Sequence, residues 1–400
     1  MGQNRYLLKT EDYLVLRDGK PFGSEKNWGS SSYSWLQPQT LTGMIRTAVG
    51  FAQSQDYFKS PENQKAILKV GVEKILPGEI QDGKCEFLAL PPSDIIFTAD
   101  LVKEPESDTK YEQLTPHELV FSRLRQDEGT DIANPDWLVP RLNTPEKPAK
   151  TVPVFWFWKT WLEYALKGVK AVSKGKLSAL GRESPVSQER VHNALSSQTR
   201  TTEQGRLFAN KDLYFYTSGD EPKQLCISFG VSGLPQNSNS DLSGDRYLGG
   251  DRKTVQIQSA SMDFPAFPLG QAWENQKFLK LVLMTAGNWG SWCPNWLKPD
   301  LTASSIPFVK IPGKDWFVRL RSACVSGWEG VSGWDSVKRA PKAMKKLVKP
   351  SSVFLLEVQN PAESAVIAQH FWGSSLGEEV EAREGYGLVF PAVTVNQIEE

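Results

Sequence analysis

The residues with the clearest chemical potential form a short glycine loop at 248–253. It joins Gly249 and Gly250 to Arg252 and Lys253, after a run of small polar residues. Because glycine has no side chain, a ligand can approach the backbone N–H groups of such a loop, and the two cations favour an anion there. The pattern indicates a phosphate site, although paired glycines before charged residues are also typical of an ordinary hairpin turn.

A second candidate anion site lies on an amphipathic segment near residue 40. Apolar residues recur with a helical period from Leu41 to Ala52, which predicts a helix whose N-cap is Thr40. Gly43 and Arg46 lie on its polar side, close to the predicted N-terminus, where N–H groups and the helix dipole favour an anion. Arg46 therefore either docks an anion or is a solvated surface cation.

Groups able to catalyse a reaction are scarce. The histidines are His117, His192 and His370, and each stands alone in the sequence, without a metal-binding H-E-x-x-H arrangement. The sequence also lacks a G-x-S-x-G elbow, a G-x-x-x-x-G-K-[ST] phosphate loop and a dinucleotide fingerprint. These features predict a binding protein without catalytic residues, metal or cofactor.

Composition restricts the partners further. Lysine plus arginine equals aspartate plus glutamate at 46 each, so nucleic-acid binding would depend on local basic patches. No run of about 18 apolar residues or signal-peptide pattern occurs, which favours a cytoplasmic protein without membrane contact. The four cysteines are far apart and are expected to be buried, and most of the 14 tryptophans are expected in cores rather than on a stacking surface.

The elements that position these residues alternate between strand and helix. The sequence predicts strands at 13–16, 66–75, 85–90, 225–231 and 254–258, and an insertion at 98–150. A helix after Trp158 has an apolar face that includes Trp161 and Ala165. Residues 189–195 predict a strand that carries Arg190, His192 and Asn193. It is followed by a polar excursion with Arg200 and a return at 206–216, which together predict a hairpin with a long flexible tip.

The second half repeats this style. Apolar runs at 278–284 and 352–358 predict strands inside a sheet, and 316–325 reads as another strand. The segment 338–349 carries six cations without an acid, which indicates either an anion-binding patch or a solvated face. A second glycine loop, formed by Gly385, Tyr386 and Gly387, precedes a terminal strand.

Six short motifs in a fixed order resemble one known family. They are Leu36 to Arg46, Leu90 to Asp94, Glu189 to Ala194 with Thr202 to Phe208, Leu248 to Lys253, Gly333 to Asp335, and Gly385 to Gly387. This series resembles the third subunit of the Cmr complex, the type III-B CRISPR effector built from RAMP proteins. One departure concerns the hairpin, where the family usually has glycine and isoleucine and this chain has His192 and Asn193. These two side chains are expected to stack or to hydrogen-bond instead.

The resemblance implies an α+β protein with two ferredoxin-like βαββαβ domains, at 1–265 with insertions and at 266–400. It implies a non-catalytic subunit that binds the five-prime handle of the CRISPR RNA, docks on the large polymerase-like subunit and the backbone RAMP subunits, and meets target RNA indirectly. The groove for the handle would be lined by Gly43, Arg46, Gly249, Gly250, Arg252, Lys253, Gly385, Tyr386 and Gly387. The hairpin with Arg190, His192, Asn193 and Arg200 would be the thumb that kinks the RNA between handle and guide.

Two other functions compete with this one. A RAMP endoribonuclease would use His192 as a general base to cleave precursor CRISPR RNA, but a lone histidine lacks the partner groups that such a reaction needs. A carbohydrate-active protein would need tryptophans and paired carboxylates in one cleft, and the sequence shows no such spacing.

Overall fold

The structure is a computed structural model that describes residues 4–16, 33–104, 109–125, 128, 132, 134–196, 198–219, 221–235, 241–250, 253–335, 338, 340–395 and 398–399. At residues 4, 192–195, 202–208 and 399 the description covers the backbone alone. Among the described helices, none has the length and apolar character needed to span a membrane.

Helices form the smaller part of the described chain. The α-helices are α1 (Pro38–Gln53), α2 (Pro61–Ala66), α3 (Trp158–Lys167), α4 (Leu177–Leu180), α5 (Ser364–Phe371) and α6 (Glu379–Arg383). Short 3-10 helices occur at Tyr57–Lys59, Ile67–Lys69, Val169–Ala171, Gln271–Trp273, Asn295–Leu297 and Pro361–Glu363.

Strands form the greater part. In the first half they are β1 (Asn4–Lys9), β2 (Leu14–Val15), β3 (Gly71–Gln81), β4 (Lys84–Ala89), β5 (Ile95–Lys103), β6 (Lys110–Glu118), β7 (Val120–Arg123), β8 (Leu138–Arg141), β9 (Phe155–Phe157), β10 (Gly181–Arg182), β11 (Pro185–Leu195), β12 (Thr202–Thr217), β13 (Leu225–Ser232), β14 (Gly244–Leu248) and β15 (Lys253–Ser259). In the second half they are β16 (Phe278–Leu283), β17 (Val309–Lys310), β18 (Phe317–Cys324), β19 (Trp328–Val331), β20 (Trp334–Asp335), β21 (Ala340–Pro341), β22 (Lys345–Val348), β23 (Val353–Val358), β24 (Ser374–Ser375), β25 (Leu388–Val393) and β26 (Ile398–Glu399).

The main sheet of the first half has the order β10-β9-β4-β3-β13-β1-β15-β14. Four adjacent strands of this sheet are β1, β3, β13 and β15. If they are numbered 1 to 4 along the chain, their order across the sheet is 4-1-3-2, and each pairs antiparallel with its neighbours. Helix α1 connects the first two of them and lies against β3 and β14. Between β13 and β15, the residues that are described contain no helix.

The sheet of the second half has the order β17-β18-β23-β16-β25-β24. Its main strands, β16, β18, β23 and β25, are again antiparallel and again lie in the order 4-1-3-2. Here α5 connects the third and fourth strands, whereas the first two are joined by a segment whose only helical turn is the 3-10 helix Asn295–Leu297. The two halves therefore share one strand order, but the helix lies between the first two strands in one half and between the last two in the other.

One hydrophobic core crosses from the first half into the second. Trp156 and Trp161 belong to the same buried cluster as Phe278, Leu355 and Phe390, and the rings of Trp161 and Phe390 lie 5.4 Å apart. All four cysteines are buried and free, as predicted. Because aromatic side chains bury large apolar areas, this shared core binds the halves together strongly.

A charged cluster lies within the same boundary. The ammonium of Lys280, on β16, is fully buried and lies 2.9 Å from Asp94 Oδ2 and 2.7 Å from the Tyr164 hydroxyl. It also donates to the carboxylate of Glu118. We call Lys280, Asp94, Glu118 and Tyr164 the interior cluster; it connects the sheet of the second half to the insertion and helix of the first.

The predicted insertion at 98–150 is more regular than its composition indicates. It forms much of β5 and β6 together with β7 and β8, and its Trp137 packs into the core of the second half. Arg321 Nε donates to the carbonyl of Asp136 at 2.6 Å, and β26 pairs parallel with β7. The insertion is therefore fastened to the second half by both polar and apolar contacts.

Several predicted boundaries are wrong for local reasons. Helix α1 begins at Pro38 with Gln37 as N-cap, so Thr40 lies inside it, because proline is well suited to the first helical position. The strand predicted from residue 66 begins at Gly71, since the Ser60 side chain caps α2 upstream. The hairpin lacks its predicted long tip: Leu195 already pairs with Thr202, leaving a turn at 196–201.

Candidate nucleic-acid interface

Arg190 is fixed where the β11–β12 hairpin joins the body of the protein. Its Nε lies 2.9 Å from Asp212 Oδ2, and its Nη2 donates to the Tyr214 hydroxyl at 2.7 Å. Asp212 in turn pairs with Val15 of β2, so the hairpin and β2 form one small sheet. The guanidinium is thus oriented by contacts to two residues while its side chain remains 39% exposed.

Two predicted cations converge on one aromatic ring at this place. The guanidinium carbon of Arg190 lies 4.5 Å from the centre of the Tyr13 ring, and Lys253 Nζ lies 3.6 Å from it. Lys253 also lies 3.2 Å from Asp12 Oδ2. The Tyr13 contact, and after it Asp12, raise the pKa of Lys253, so its ammonium is charged at neutral pH. We call Tyr13, Arg190 and Lys253 the hairpin-base cluster.

The glycine loop before Lys253 has a structural reason for its glycines. Gly249 has a φ of +73°, and a Cβ at this position would stand 2.7 Å from the carbonyl oxygen of Val15. The N–H of Gly250 donates to the same carbonyl at 2.8 Å. These contacts fit the hairpin-turn alternative and fix Lys253 beside Tyr13. Arg252 lies outside the described residues, and phosphate binding by the loop stays a prediction.

Gly43 has no such packing reason. It is exposed on α1, and a Cβ built there would meet nothing within 4 Å. Glycine inside a helix costs roughly 0.5–1 kcal/mol relative to alanine, so its presence here is unfavourable for the fold alone. The position leaves the helix backbone open to close approach by a ligand, on a helix that lies against β14 and hence near the glycine loop.

Arg46 occupies a different environment from the one predicted. It lies in the middle of α1, not at its N-terminus, and its Nε and Nη2 donate to the carbonyls of Val70 at 2.9 Å and Leu68 at 3.1 Å. Glu384 lies 3.4 Å from Nη1. Burial lowers the pKa of Arg46, and Glu384 opposes that effect. Arg46 is therefore neither solvated nor placed at a helix N-terminus; it fastens α1 to the chain before β3, and RNA contact by it stays a prediction.

The loop of Gly385, Tyr386 and Gly387 also lies in the interior. The Tyr386 side chain is 1% exposed, and burial raises the pKa of its hydroxyl. Gly385 has a φ of +85°, and a Cβ there would stand 2.4 Å from Ile75 Cδ1. The N–H of Gly387 donates to the carbonyl of Ala286 at 2.9 Å. The glycines of this loop permit close packing between the two halves, and RNA contact by the loop stays a prediction.

The remaining predicted residues lie along the hairpin. His192 and Asn193 pair through the backbone with Phe208 and Leu207, and their side chains lie outside the described part. Arg200 is exposed in the turn at the far end, with a φ of +55°. Arg190 lies in the middle of β11, so the second half of that strand separates it from Arg200.

A cleft of about 840 Å³ separates the hairpin base from the second half. Residues that line it include Trp35, Gln37, Lys211, Trp328, Glu329 and Lys349. Gln37 donates to Glu329 at 3.1 Å, and burial raises the pKa of Glu329. Tyr13 was predicted only as part of a strand, and most cleft residues were not predicted as site residues, although Gln37 lies in the first family motif and Lys349 in the lysine run. For the side of the cleft formed by the second half, the sequence offered two signals: the family motif at Gly333 to Asp335 and the lysine run after it.

Metal ligands are not grouped in the described residues: no set of three or more histidine, cysteine, aspartate or glutamate side chains is placed to hold an ion. His117 Nε2 lies 2.9 Å from Thr98 Oγ1, and His370 lies in α5 with its ring 5.8 Å from that of Trp316. The interface is thus built from cations, aromatic rings and open backbone, a set suited to binding single-stranded RNA through its phosphates and bases.

One protein family matches nearly the whole chain. The family model described as CRISPR-associated protein (Cas_Cmr3) matches residues 6–391. No curated protein sequence matches the chain significantly. A chain in the cryo-EM structure of the Type III-B Cmr-beta bound to cognate target RNA and AMPPnP is similar, with 12% identity, a TM-score of 0.44, and coverage of 88% of this chain and 86% of that one. A chain in the Csm3-Csm4 subcomplex of the type III-A CRISPR-Cas interference complex has 9% identity, a TM-score of 0.32, and coverage of 90% and 94%.

Proposed function

Because this chain belongs to the Cas_Cmr3 family of CRISPR-associated proteins, we propose that it holds the five-prime handle of the CRISPR RNA within a type III-B effector complex. In this role it binds RNA without cleaving it. Family membership supports the broader assignment to a type III-B effector subunit, and the hairpin-base cluster supports the narrower one.

The observation that carries the proposal is the convergence of Arg190 and Lys253 on Tyr13. Both cations come from segments whose motifs resemble the family, and they meet at the point where the hairpin leaves the body. Cations beside an aromatic ring suit a single strand of RNA, since phosphates take the charge and an exposed base can stack. The open backbone at Gly43 offers a further place for close approach.

The hairpin is the proposed thumb. Arg190 at its base and Arg200 at its turn would guide the RNA along the ribbon, and His192 and Asn193 would meet it between them. A stiff two-stranded ribbon can separate neighbouring bases more effectively than a flexible loop. This favours the hairpin as the element that kinks the RNA between handle and guide.

The fold that we propose consists of two ferredoxin-like domains at 1–265 and 266–400. The order 4-1-3-2 in both sheets supports this reading. A complete βαββαβ unit has two helices, and the described residues of each half contain one of them. Among these residues, the first half has α1 but no helix between β13 and β15, and the second half has α5 but no α-helix between β16 and β18. The core shared by the halves means that they would be one folding unit despite their separate sheets.

The proposed partners are the large polymerase-like subunit and the backbone RAMP subunits, with target RNA reached indirectly. Such a role needs binding surfaces and no catalytic group. Replacement of His192 by alanine should therefore leave precursor RNA uncleaved by the purified chain, as the wild type does. Cleavage by the wild type that is lost in His192→Ala would favour the endoribonuclease alternative.

The decisive experiment measures the affinity of the assembled complex for handle-bearing RNA at several salt concentrations. The double variant Arg190→Gln/Lys253→Gln should bind more weakly, and the slope of log affinity against log salt should fall by about 0.7 for each lost phosphate contact. Glutamine keeps much of the side-chain volume while it removes the charge.

The matched control is Lys59→Gln. Lys59, in the 3-10 helix Tyr57–Lys59, forms an ion pair with Asp56 at 2.9 Å, as Lys253 does with Asp12 at 3.2 Å, but its side chain is 78% exposed against 16% for Lys253. Its variant should bind as the wild type does. An unchanged salt slope in the double variant would mean that the hairpin-base cluster is only structural.

A further inference from the structure

A two-stranded ribbon projects from the second half and has no role in the function described so far. Strand β19 pairs with β22, and β20 pairs with β21, so the chain from Trp328 to Val348 returns on itself. It contains the Gly333 to Asp335 motif and most of the lysine-rich run. Residues 336, 337 and 339 at its turn lie outside the described part.

One side of this ribbon is fixed to the body. Val331 and Leu347 are fully buried and pack with Tyr386 and Ala286 in one hydrophobic cluster. Gln39 Nε2 adds a hydrogen bond of 2.8 Å to the carbonyl of Ser332. The ribbon is therefore held in place and is not a loose arm.

The outward residues are unusual for a surface. Trp328 is 59% exposed, Trp334 is 60% exposed and Met344 is 53% exposed. Met344 lies over Gly330, the residue that pairs with Lys346. Among the tryptophans that the structure describes, Trp328 and Trp334 alone are exposed. Large exposed aromatic residues in one small region mark an interaction site.

The same ribbon is rich in lysine. Five of them are exposed in the described part of the run, namely Lys338, Lys342, Lys345, Lys346 and Lys349. The ammonium of Lys346 lies 4.5 Å from the centre of the Trp328 ring. The only acids between 328 and 349 are Glu329 and Asp335, so the ribbon is locally positive on a chain with no net charge.

We propose that the outward side of this ribbon is a second binding surface for single-stranded RNA, with bases stacked on Trp328 and Trp334 and phosphates held by the lysines. Alternating aromatic rings and cations are the means by which proteins bind single strands without sequence preference. Protein interfaces, by contrast, are depleted in lysine, so five exposed lysines on the same stretch of chain as the rings favour nucleic acid as the occupant.

The cleft connects this surface to the hairpin base. Trp328 and Lys349 line one wall of it and Lys211 lines the other. A strand held at the hairpin-base cluster can therefore continue across the cleft onto the ribbon. The choice of RNA rests on the proposed function, whereas the residues of the ribbon are separate from those of the hairpin-base cluster and can be tested separately.

The test compares Trp328→Leu with Trp328→Phe in the full-length protein, with an unstructured fluorescent polyuridine RNA as the probe. Leucine keeps an apolar side chain but removes the aromatic face, so binding should weaken by about 5- to 150-fold, whereas phenylalanine should retain most of the affinity. Lys346→Gln should lower the slope of log affinity against log salt by about 0.7. Urea unfolding should be unchanged in all three variants, since these side chains are exposed.

Two outcomes would overturn the inference. Wild-type RNA affinity in Trp328→Leu, with or without Lys346→Gln, would show that the ribbon does not bind the strand. Wild-type RNA affinity combined with loss of a partner subunit from the assembled complex would make the ribbon a protein interface. The variant Arg190→Gln/Lys253→Gln in the same assay separates the two proposals. Weak binding in this variant with normal binding in Trp328→Leu contradicts only the role of the ribbon. Normal binding in this variant with weak binding in Trp328→Leu contradicts only the role of the hairpin-base cluster.

Discussion

The interior cluster and the hairpin-base cluster use the same side chains for different purposes. Each places a lysine beside a tyrosine and a carboxylate, which for Lys253 is Asp12, yet Lys280 is fully buried whereas Lys253 is 16% exposed and Arg190 is 39% exposed. Lys280 has Asp94, Glu118 and Tyr164 around its ammonium, and Lys253 has Tyr13 and Asp12. The comparison teaches that burial, more than residue type, decides whether a cation holds the fold or remains open to a ligand.

Electrostatics explains the difference. A charge removed from water must be compensated by its neighbours, so losing one partner from a buried set leaves another charge uncompensated. The interior cluster has two carboxyl groups for one ammonium, and burial raises the pKa of Glu118, with the Lys280 ammonium opposing that effect. Ion pairs at the surface are weakened by water and salt, and they contribute little to stability.

The largest expected effect comes from breaking the interior cluster. Lys280→Met should lower the free energy of unfolding by about 3–5 kcal/mol, because Asp94 and Glu118 would be left buried without a cation. Urea unfolding measures the loss. Lys310→Met is the control, since Lys310 forms an ion pair with Asp315 at 2.7 Å but is 55% exposed, and it should be nearly neutral. A small loss in Lys280→Met would remove the contrast between the two clusters.

Arg46 tests a cation of intermediate burial. Arg46→Ala should lower the free energy of unfolding by about 1–3 kcal/mol, because the carbonyls of Leu68 and Val70 lose their charged donor. Arg123→Ala, at an exposed position on β7, is the control in the same urea experiment. Normal stability combined with weaker RNA binding in Arg46→Ala would instead place Arg46 in the RNA interface.

The interior cluster also predicts a pH dependence. Because the folded pKa of Glu118 is raised by burial, its contribution is fully present below the unfolded value of about 4.3 and is lost as pH rises through the folded pKa. Over that window the free energy of unfolding should fall by about 1.4 kcal/mol per pH unit from this group. The difference between wild type and Glu118→Gln isolates it in urea experiments at several pH values. A difference that does not change with pH would show that the pKa of Glu118 is not raised in the folded protein.

Gly43 tests the open side of α1. Gly43→Ala should raise the free energy of unfolding by about 0.5–1 kcal/mol, since alanine favours the helix and no atom lies within 4 Å of its Cβ. Gly50→Ala on the same helix should be destabilising, because its Cβ would stand 2.4 Å from the Phe58 ring. If RNA approaches the helix backbone at Gly43, the more stable variant should also bind RNA more weakly in the assembled complex.

A smaller loss of stability than in Lys280→Met is expected at the hairpin-base cluster. Arg190→Gln/Lys253→Gln should lower the midpoint of urea unfolding less than Lys280→Met does, because it leaves one buried carboxylate, Asp212, without a cation, whereas Lys280→Met leaves two. A midpoint as low as that of Lys280→Met would contradict the comparison and give the hairpin-base cluster a structural role.

Sequence patterns predict the parts of this fold that depend on neighbours in the chain. The apolar runs at 278–284 and 352–358 became β16 and β23, and the helical period after residue 40 gave α1 within a few residues. The family resemblance is confirmed by the match to residues 6–391. Local patterning succeeds here because a buried strand or amphipathic helix needs the same residue types wherever it packs.

Contacts between distant segments were beyond such patterns. Arg46 reaches Glu384, and Gly249 packs against Val15, and no local signal indicates either pair. Tyr386 stands between two glycines, as an exposed loop residue would, yet it is buried between the halves. Lys280 did carry a signal, since a lysine within a continuous apolar run must find buried partners, but the partners could not be named.

The arrangement of the first sheet has a consequence for the timing of biosynthesis. Strand β1 pairs with β13 and β15, so the sheet around Leu8 cannot form until its partners Ile227 and Ile257 have been synthesised. At about 5–20 residues per second, a ribosome needs roughly 10–45 s to make the intervening chain. The apolar residues Tyr6, Leu7 and Leu8 remain without their sheet partners throughout that interval. The second sheet is completed over a much shorter stretch, from β16 to β25, so slower translation prolongs the exposure of the first half far more than that of the second.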